Sequence, residues 1–253
     1  MKTYTKKAQM ICGLLVLVAT SAYGEEIKVG GGGASISAVF APVKAPFEKA
    51  TGDALIILQS SPKDGLIDLV KGKLELATAA VPLESMLAGA EKDGVKVSRE
   101  SLVTQEIGKN RTAIFVHPSN KVTKLSKEQI KGLFTGKILN WKDVGGEDRD
   151  VIVVWGKGTP GQNAQLIKEM LDGEQPAKDV LDTTNYAKVK ESVAATPEAI
   201  GIDPFGLADQ SVKVVESPLM TSPVLAITMG KPSAKVQKLL DYIKGDGSKY
   251  LKK

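Results

Sequence analysis

Between Val153 and Asn163 the chain reads VVWGKGTPGQN, with glycines, a lysine and a threonine set between an apolar run and a helical pattern. Backbone amides at such a junction can hold a phosphate or another oxyanion, because the first N–H groups of a helix have no partner inside it and the helix dipole adds positive potential there. Thr159-Pro160-Gly161-Gln162 has the form of a capping box with proline at the first helical position, and Ala164, Ile167, Met170 and Leu171 continue an apolar face as far as Gly173. Capping alone accounts for Thr159 and Gln162. It is compatible with anion contact, since Pro160 lacks an amide proton but Gly161, Gln162 and Asn163 keep theirs. The stretch is not a nucleotide P-loop: Lys157 follows Gly156 but is itself followed by Gly158, so GxxxxGK[ST] is missing.

Two other strand ends repeat the arrangement. Lys28-Val29 runs into Gly30-Gly31-Gly32-Gly33-Ala34-Ser35-Ile36-Ser37, where glycines would let backbone approach a ligand closely. Ala54 to Leu58 ends in Gln59-Ser60-Ser61-Pro62 before the helical Leu66 to Val70. In α/β sheets ligands lie beyond the carboxyl ends of strands, so the economical expectation is that the three loops converge. Turn chemistry is the plain alternative for Ser35, Ser60 and Ser61, a solvated loop position for Lys157, and a core position for Trp155. His117, the sole histidine, stands immediately before Pro118, where a loop role outweighs that of a general base. A Ser-His-Asp hydrolase would depend wholly on it, and a zinc site is poorly supported.

The elements that must carry these loops follow a leader. Lys2, Lys6 and Lys7 precede the apolar Met10 to Ala19, and Ala22-Tyr23-Gly24 offers small residues to a signal peptidase, so cleavage is expected after Gly24. The apolar run falls short of the ~20 residues that span a bilayer. Removal of 24 of the 253 residues would leave 229, without the only cysteine, Cys12, and therefore without disulfide or thiol nucleophile. Three leader lysines also account for part of the net charge of +5, leaving +2, and the scattered lysines and few aromatics exclude a nucleic-acid footprint.

Short β-rich runs then alternate with helical patterns, which predicts an α/β architecture with mostly parallel sheets. Strands are expected at Ile27 to Val29, Ala54 to Leu58, Leu74 to Ala79, Ala113 to Val116, Val151 to Val154 and Val224 to Thr228. Ser126-Lys127-Glu128-Gln129 is a capping box opening a helix that Gly136 stops. Pro42 and Pro46 are expected to delay or break the helix that follows the first glycine run.

This ordered set of segments resembles the phosphate-binding periplasmic proteins of ABC importers, within the type 2 periplasmic binding protein fold. The block Ile114 to Val154 carries the resemblance most strongly, with Phe134-Thr135-Gly136-Lys137-Ile138 and the Asn140-Trp141 turn. Gly32-Gly33-Ala34-Ser35, Gln59-Ser60-Ser61, Ala199-Ile200-Gly201-Ile202 and Lys231-Pro232-Ser233 resemble its other segments. The resemblance implies two lobes, each a mostly parallel sheet flanked by helices, with the ligand cleft between them. Residues 25–107 and 204–253 would form lobe 1 and residues 108–203 lobe 2, with crossings near Ile107 to Thr112 and Ile202 to Leu207.

It further implies an exported, periplasmic, monomeric binding protein without cofactor, metal or catalysis. Such a protein would capture phosphate or another small oxyanion for the membrane permease of an importer or for a sensor. The implied ligand set is the hydroxyls of Ser35, Ser60, Ser61 and Thr159, the backbone at Ala34, Ile36, Gly158, Gly161 and Gln162, and Lys157 to offset charge. Three positions depart from the family's pattern: Ala80 stands where an aspartate is usual, Trp155 where an arginine is usual, and Lys157 at an acidic position. Ala80 removes the acceptor for a proton on phosphate, and Trp155 removes a bidentate cation. The alternatives are a sensory or partner-binding protein with an altered cleft, and a hydrolase using His117.

Overall fold

The computed structural model describes residues 24–251. The leader, apart from Gly24, lies outside the described residues, as does Cys12. Eight strands form one mixed sheet in the order β2-β1-β3-β8-β4-β7-β5-β6. They are β1 (Glu26–Gly32), β2 (Ala54–Ser60), β3 (Leu76–Ala79), β4 (Leu102–Val116), β5 (Ile152–Gly156), β6 (Leu181–Thr183), β7 (Ala199–Pro204) and β8 (Lys213–Met229). The helices are α1 (Gly33–Ser35), α2 (Ala41–Thr51), α3 (Pro62–Val70), α4 (Leu83–Lys92), α5 (Lys127–Phe134), α6 (Pro160–Glu169), α7 (Tyr186–Ala195) and α8 (Ala234–Lys244).

The two separate, mostly parallel sheets expected from the resemblance are therefore one continuous sheet. Its ends are parallel, β1 with β2 and β3 at one end and β5 with β6 and β7 at the other. Its middle is antiparallel, because β4 and β8 are long enough to run through both halves side by side. Their ladder shifts register between Glu106 and Gly108 and again between Thr112 and Ile114. Such bulges bend and twist a strand pair, and here they bracket the passage from one half to the other.

After Pro204, Phe205 and Ala208 pack on the core beneath α7, Gly206 lies against the Ser37 and Ala38 backbone of the first half, and Lys213 to Val215 pair with Ile114 to Val116. Within β8 the chain passes from Met220, in the core of the second half, to Val224, in the core of the first.

Each half is covered on both faces. In the first, α2 and α8 bury Val43, Phe47, Val236, Leu239 and Leu240 on one side, and α3 and α4 bury Leu66, Leu69, Leu83 and Met86 on the other. In the second, Ile130, Leu133, Phe134, Trp141 and Leu166 form the larger core, while Val189 and Val193 of α7 close the opposite face over Phe115 and Val154. Apolar residues at helical spacing meet strands buried on both sides, which is the usual route to an α/β layer structure.

Pro42 and Pro46 do not break the first helical run. Gly33 to Thr51 is continuous through a π-helical segment, Ile36–Phe40, whose wider turn is closed by the Ala41 N–H donating to the Ile36 carbonyl. Pro42 stands directly after the π segment, at the second residue of α2, and Pro46 is carried inside the helix. The Ser126 box forms as read, with Ser126 Oγ accepting from Gln129 N–H and the Gln129 side chain accepting from Ser126 N–H.

Candidate functional site

Two adjoining chambers, of about 340 and 420 Å³, lie between the halves of the sheet. Pro62, Val81, Gly161, Ala164 and Tyr186 belong to the walls of both. Five helical runs begin on this space. Gly33 and Ala34 open the first, Ser61 and Pro62 open α3, Pro82 precedes α4, Pro160 and Gly161 open α6, and Tyr186 opens α7. The reason is topological: in each half the parallel strands end toward the cleft, and every helix that follows starts there.

The two walls touch. A Cβ on Gly161 would lie 2.5 Å from Val81 Cγ1 across the cleft, and one on Gly33 would lie 3.0 Å from Tyr186 Cδ2. Glycine at both positions is what lets the halves meet. Gly31 answers to a different need. It has φ +134, its Cβ would meet the Thr78 carbonyl of β3 at 2.1 Å, and Gly65 of α3 packs on its backbone. That part of the glycine run serves helix-on-strand packing, not ligand approach.

The residues expected to bind divide into four groups. Ala34, Gly161 and Gln162 line the first chamber, and Ser60, Ser61, Gly158 and Gly161 line the second. Ser35, Ile36 and Thr159 are buried behind these walls. The Ser35 hydroxyl donates to the Gly32 carbonyl at 2.8 Å. Ser61 caps α3, accepting from Asp64 N–H and donating to the Asp64 carboxylate at 2.6 Å. Lys157 lines neither chamber; it is 70 % exposed and pairs with Asp182 at 2.7 Å. Ala80 forms part of the apolar wall of the first chamber, and Trp155 packs against the larger core of the second half.

The capping box read at Thr159 does not form. The Thr159 hydroxyl donates back to the Gly156 carbonyl at 2.9 Å, and Asn163 Nδ2 donates to the same carbonyl at 2.8 Å. Gln162 turns inward instead, and its Nε2 donates to the Ile202 carbonyl of β7 at 2.8 Å. A buried carbonyl at a strand end is costly to leave unpaired, and here that demand outcompetes the helix cap.

Several cleft residues escaped the sequence reading. Asn110, Thr112, Lys168, Tyr186, Thr221 and Ser222 all line the chambers. Behind them Asp203, at the end of β7, is fully buried, and neither carboxylate oxygen has a hydrogen-bond partner in the protein. Burial pushes its carboxyl up to about 9, against the weaker opposing pull of Lys190 and the Gln162 amide. Lys190 is itself held by Asp209 at 2.6 Å. Burial, and then the proximity of Asp203, push the Tyr186 phenol up to about 12, so it stays protonated. The available signal for Asp203 was a carboxylate directly ending the apolar run Ala199 to Ile202.

His117 lies on the turn after β4, where Nδ1 meets Ser119 Oγ at 2.7 Å, and lines neither chamber. Among the described residues no group of three or more His, Cys, Asp or Glu side chains could hold a metal, and no helix is long and apolar enough to cross a membrane.

A cleft between two sheet halves, bordered by helix starts, is a solute-binding architecture. The chain belongs to the PBP superfamily, whose domain model matches residues 18–247. It is a distant homologue of the phosphate-binding protein PstS of Bacillus subtilis, 28% identical over 246 residues, covering 89% of this chain and 79% of that protein. Its fold matches those of solved type 2 binding proteins. A phosphate ABC transporter substrate-binding protein from Clostridium perfringens, with bound phosphate, superposes with a TM-score of 0.71 at 23% identity, covering 89% of this chain and 96% of that one. An ABC-type phosphate transport receptor from Vibrio cholerae superposes at 0.60 and 22%, covering 88% and 95%.

Proposed function

We propose that this chain is an extracytoplasmic binding protein that closes on a small solute carrying an oxyanion group, phosphate being the first candidate, and delivers it to the permease of an ABC importer. The observation that carries the reading is the convergence of helix starts on one cleft. Four of these helices are nine or ten residues long, and each directs the positive end of its dipole toward the space. Anion binding then requires no arginine, which suits a cleft where Trp155 has replaced one.

In this reading the two halves of the sheet act as lobes hinged at the bulged crossing of β4 and β8. Closing brings the amides of Ala34, Gly161 and Gln162 and the hydroxyls of Ser60 and Ser61 around the anion. A hydrolase built on His117 has no support in its placement on the outer turn.

Calorimetric titration of the protein with phosphate, arsenate, sulfate, molybdate and simple organic phosphates tests the reading. At least one saturable response is expected. Absence of binding by every member of the panel at millimolar concentration would overturn it.

A further inference from the structure

The side-chain donors expected at the anion are engaged before any ligand arrives. Ser35 donates to the Gly32 carbonyl, Thr159 to the Gly156 carbonyl and Ser61 to the Asp64 carboxylate. Gln162 Nε2 is committed to the Ile202 carbonyl, and Lys157 is held by Asp182 outside the chambers. Ser60 donates to the Ser61 carbonyl at 3.2 Å. The hydroxyls of Ser60 and Ser61 therefore reach an anion only by exchanging a bond they already make, which leaves each a small net contribution.

Tyr186 is placed differently. It is the first residue of α7, a helix capped by Asn185 and anchored in the core by Val189 and Val193. Its ring reaches the first glycine loop of the other half, where a Cβ on Gly33 would lie 3.0 Å from Cδ2. Of the five residues common to both chambers, Pro62, Val81, Gly161, Ala164 and Tyr186, it alone has a polar side chain. Among the described residues, the polar side-chain atoms that are both sealed and unpaired belong to Asn110, Gln162 and Asp203. The Tyr186 oxygen is not one of these, and it makes no hydrogen bond within the described residues, so it opens on the space that the residue lines. Burial pushes the phenol up to about 12, which leaves it a proton to donate. A ring with two rotatable bonds also presents that donor at little cost in entropy.

We propose that Tyr186 is the principal side-chain donor to the anion, its hydroxyl donating to an oxyanion oxygen at the seam of the two chambers. The inference rests on the oxyanion reading above and deepens it. The helix starts supply positive potential, and a neutral hydroxyl supplies the directed bond that the paired, exposed Lys157 does not. Because the ring also lies against Gly33, the contact that joins the walls is the one that fixes the donor.

The test is isothermal titration of the wild type and of Tyr186→Phe with phosphate, arsenate, sulfate, molybdate and glycerol 3-phosphate, paired with thermal melts of the unliganded proteins. Phenylalanine keeps the ring against Gly33 and removes the hydroxyl alone. Affinity for the anion that the wild type binds most tightly is expected to fall about tenfold or more, since a hydrogen bond to a charged group is lost. The unliganded melting temperature should not change. The ratio of the two affinities should be the same at low and high salt, because a neutral donor carries no charge to screen. A variant whose affinity stays within about threefold of the wild type, well short of one charged hydrogen bond, would overturn the inference and leave the oxyanion reading standing. A loss matched by a lower melting temperature would assign the residue to packing, and a ratio that collapses with salt would assign it to charge balance; either would overturn the inference as well. No binding of any of these anions by the wild type would overturn both readings.

Discussion

Asp203→Asn isolates the energetic consequence of the buried carboxyl. In the folded protein burial raises its pKa from 3.8 to about 9. Between those values the unfolded chain has released a proton that the folded chain retains, so stability falls as pH rises, by about 1.4 kcal/mol per unit. The contribution is complete below pH 4 and is lost progressively toward pH 9. At pH 7 the wild type has forfeited at most about 4 kcal/mol, and the dipoles of α6 and α7, worth ~0.3–1 kcal/mol each near a carboxylate, bring this to about 2–4 kcal/mol. Asparagine keeps the shape and removes the proton.

Urea denaturation of both proteins from pH 4.5 to 8 should give nearly equal stabilities at the acid end. The variant's advantage should then grow with pH to about 2–4 kcal/mol at pH 7. Groups common to both proteins cancel in the difference, including Lys190 and Tyr186, which face this carboxyl. A difference that stays flat with pH, or a variant less stable than wild type at pH 7, would refute the reasoning and mean that Asp203 is ionised and well solvated.

Two further expectations concern the cleft. Gly161→Ala places a Cβ 2.5 Å from Val81 Cγ1 and so holds the halves apart. Anion affinity should fall about tenfold, equivalent to ~1.4 kcal/mol, with a larger radius of gyration by X-ray scattering under saturating ligand and an unchanged melting temperature. Lys157→Ala should leave anion affinity within about twofold, because an exposed, Asp182-paired lysine adds little at that range in water. Lys168→Ala, on the chamber wall, should weaken it more; the reverse order in titration would return Lys157 to the site.

The sequence made the ends of the sheet legible and left its middle obscure, for a physical reason. Strands β3 and β5 bury apolar residues on both faces, β1 buries Ile27 and Val29 and β2 buries Leu55, and all four stand out as apolar runs between turn residues. In β4 only Ala113 to Val116 has that character; Thr104 to Thr112 reads as polar because this stretch crosses between the cores, with Ile107 its one buried apolar residue and Asn110 and Thr112 on the cleft wall. The strand was therefore read at four residues instead of fifteen, and β8 was shortened in the same way. The short β6, with only Thr183 buried, carried no apolar signal at all.

The turn residues that end β1, β2 and β5 were legible after their apolar runs, and they place Ala34, Ser60, Ser61, Gly158, Gly161 and Gln162 on the chambers. What local pattern could not rank was competition among buried polar groups. Thr159 and Gln162 fit a capping box by type and spacing, yet the carbonyls of Gly156 and Ile202, which only the folded sheet brings near, claim both side chains. Tyr186 and Asp203 meet through the packing of α7 on β7, a contact across seventeen residues that periodicity does not encode.

That packing bears on how an anion could be held by a cleft without arginine. A carboxylate at the end of β7, close to the starts of α6 and α7, would neutralise the positive potential those helices direct into the space and repel an incoming oxyanion. A neutral carboxyl does neither. Because burial keeps Asp203 protonated over the ordinary pH range, the dipoles remain available to the solute. Ala80 on one wall and Asp203 behind the other thus leave the cleft without carboxylate charge at these two positions: the first has no ionisable group, and the second has one whose charge the fold suppresses.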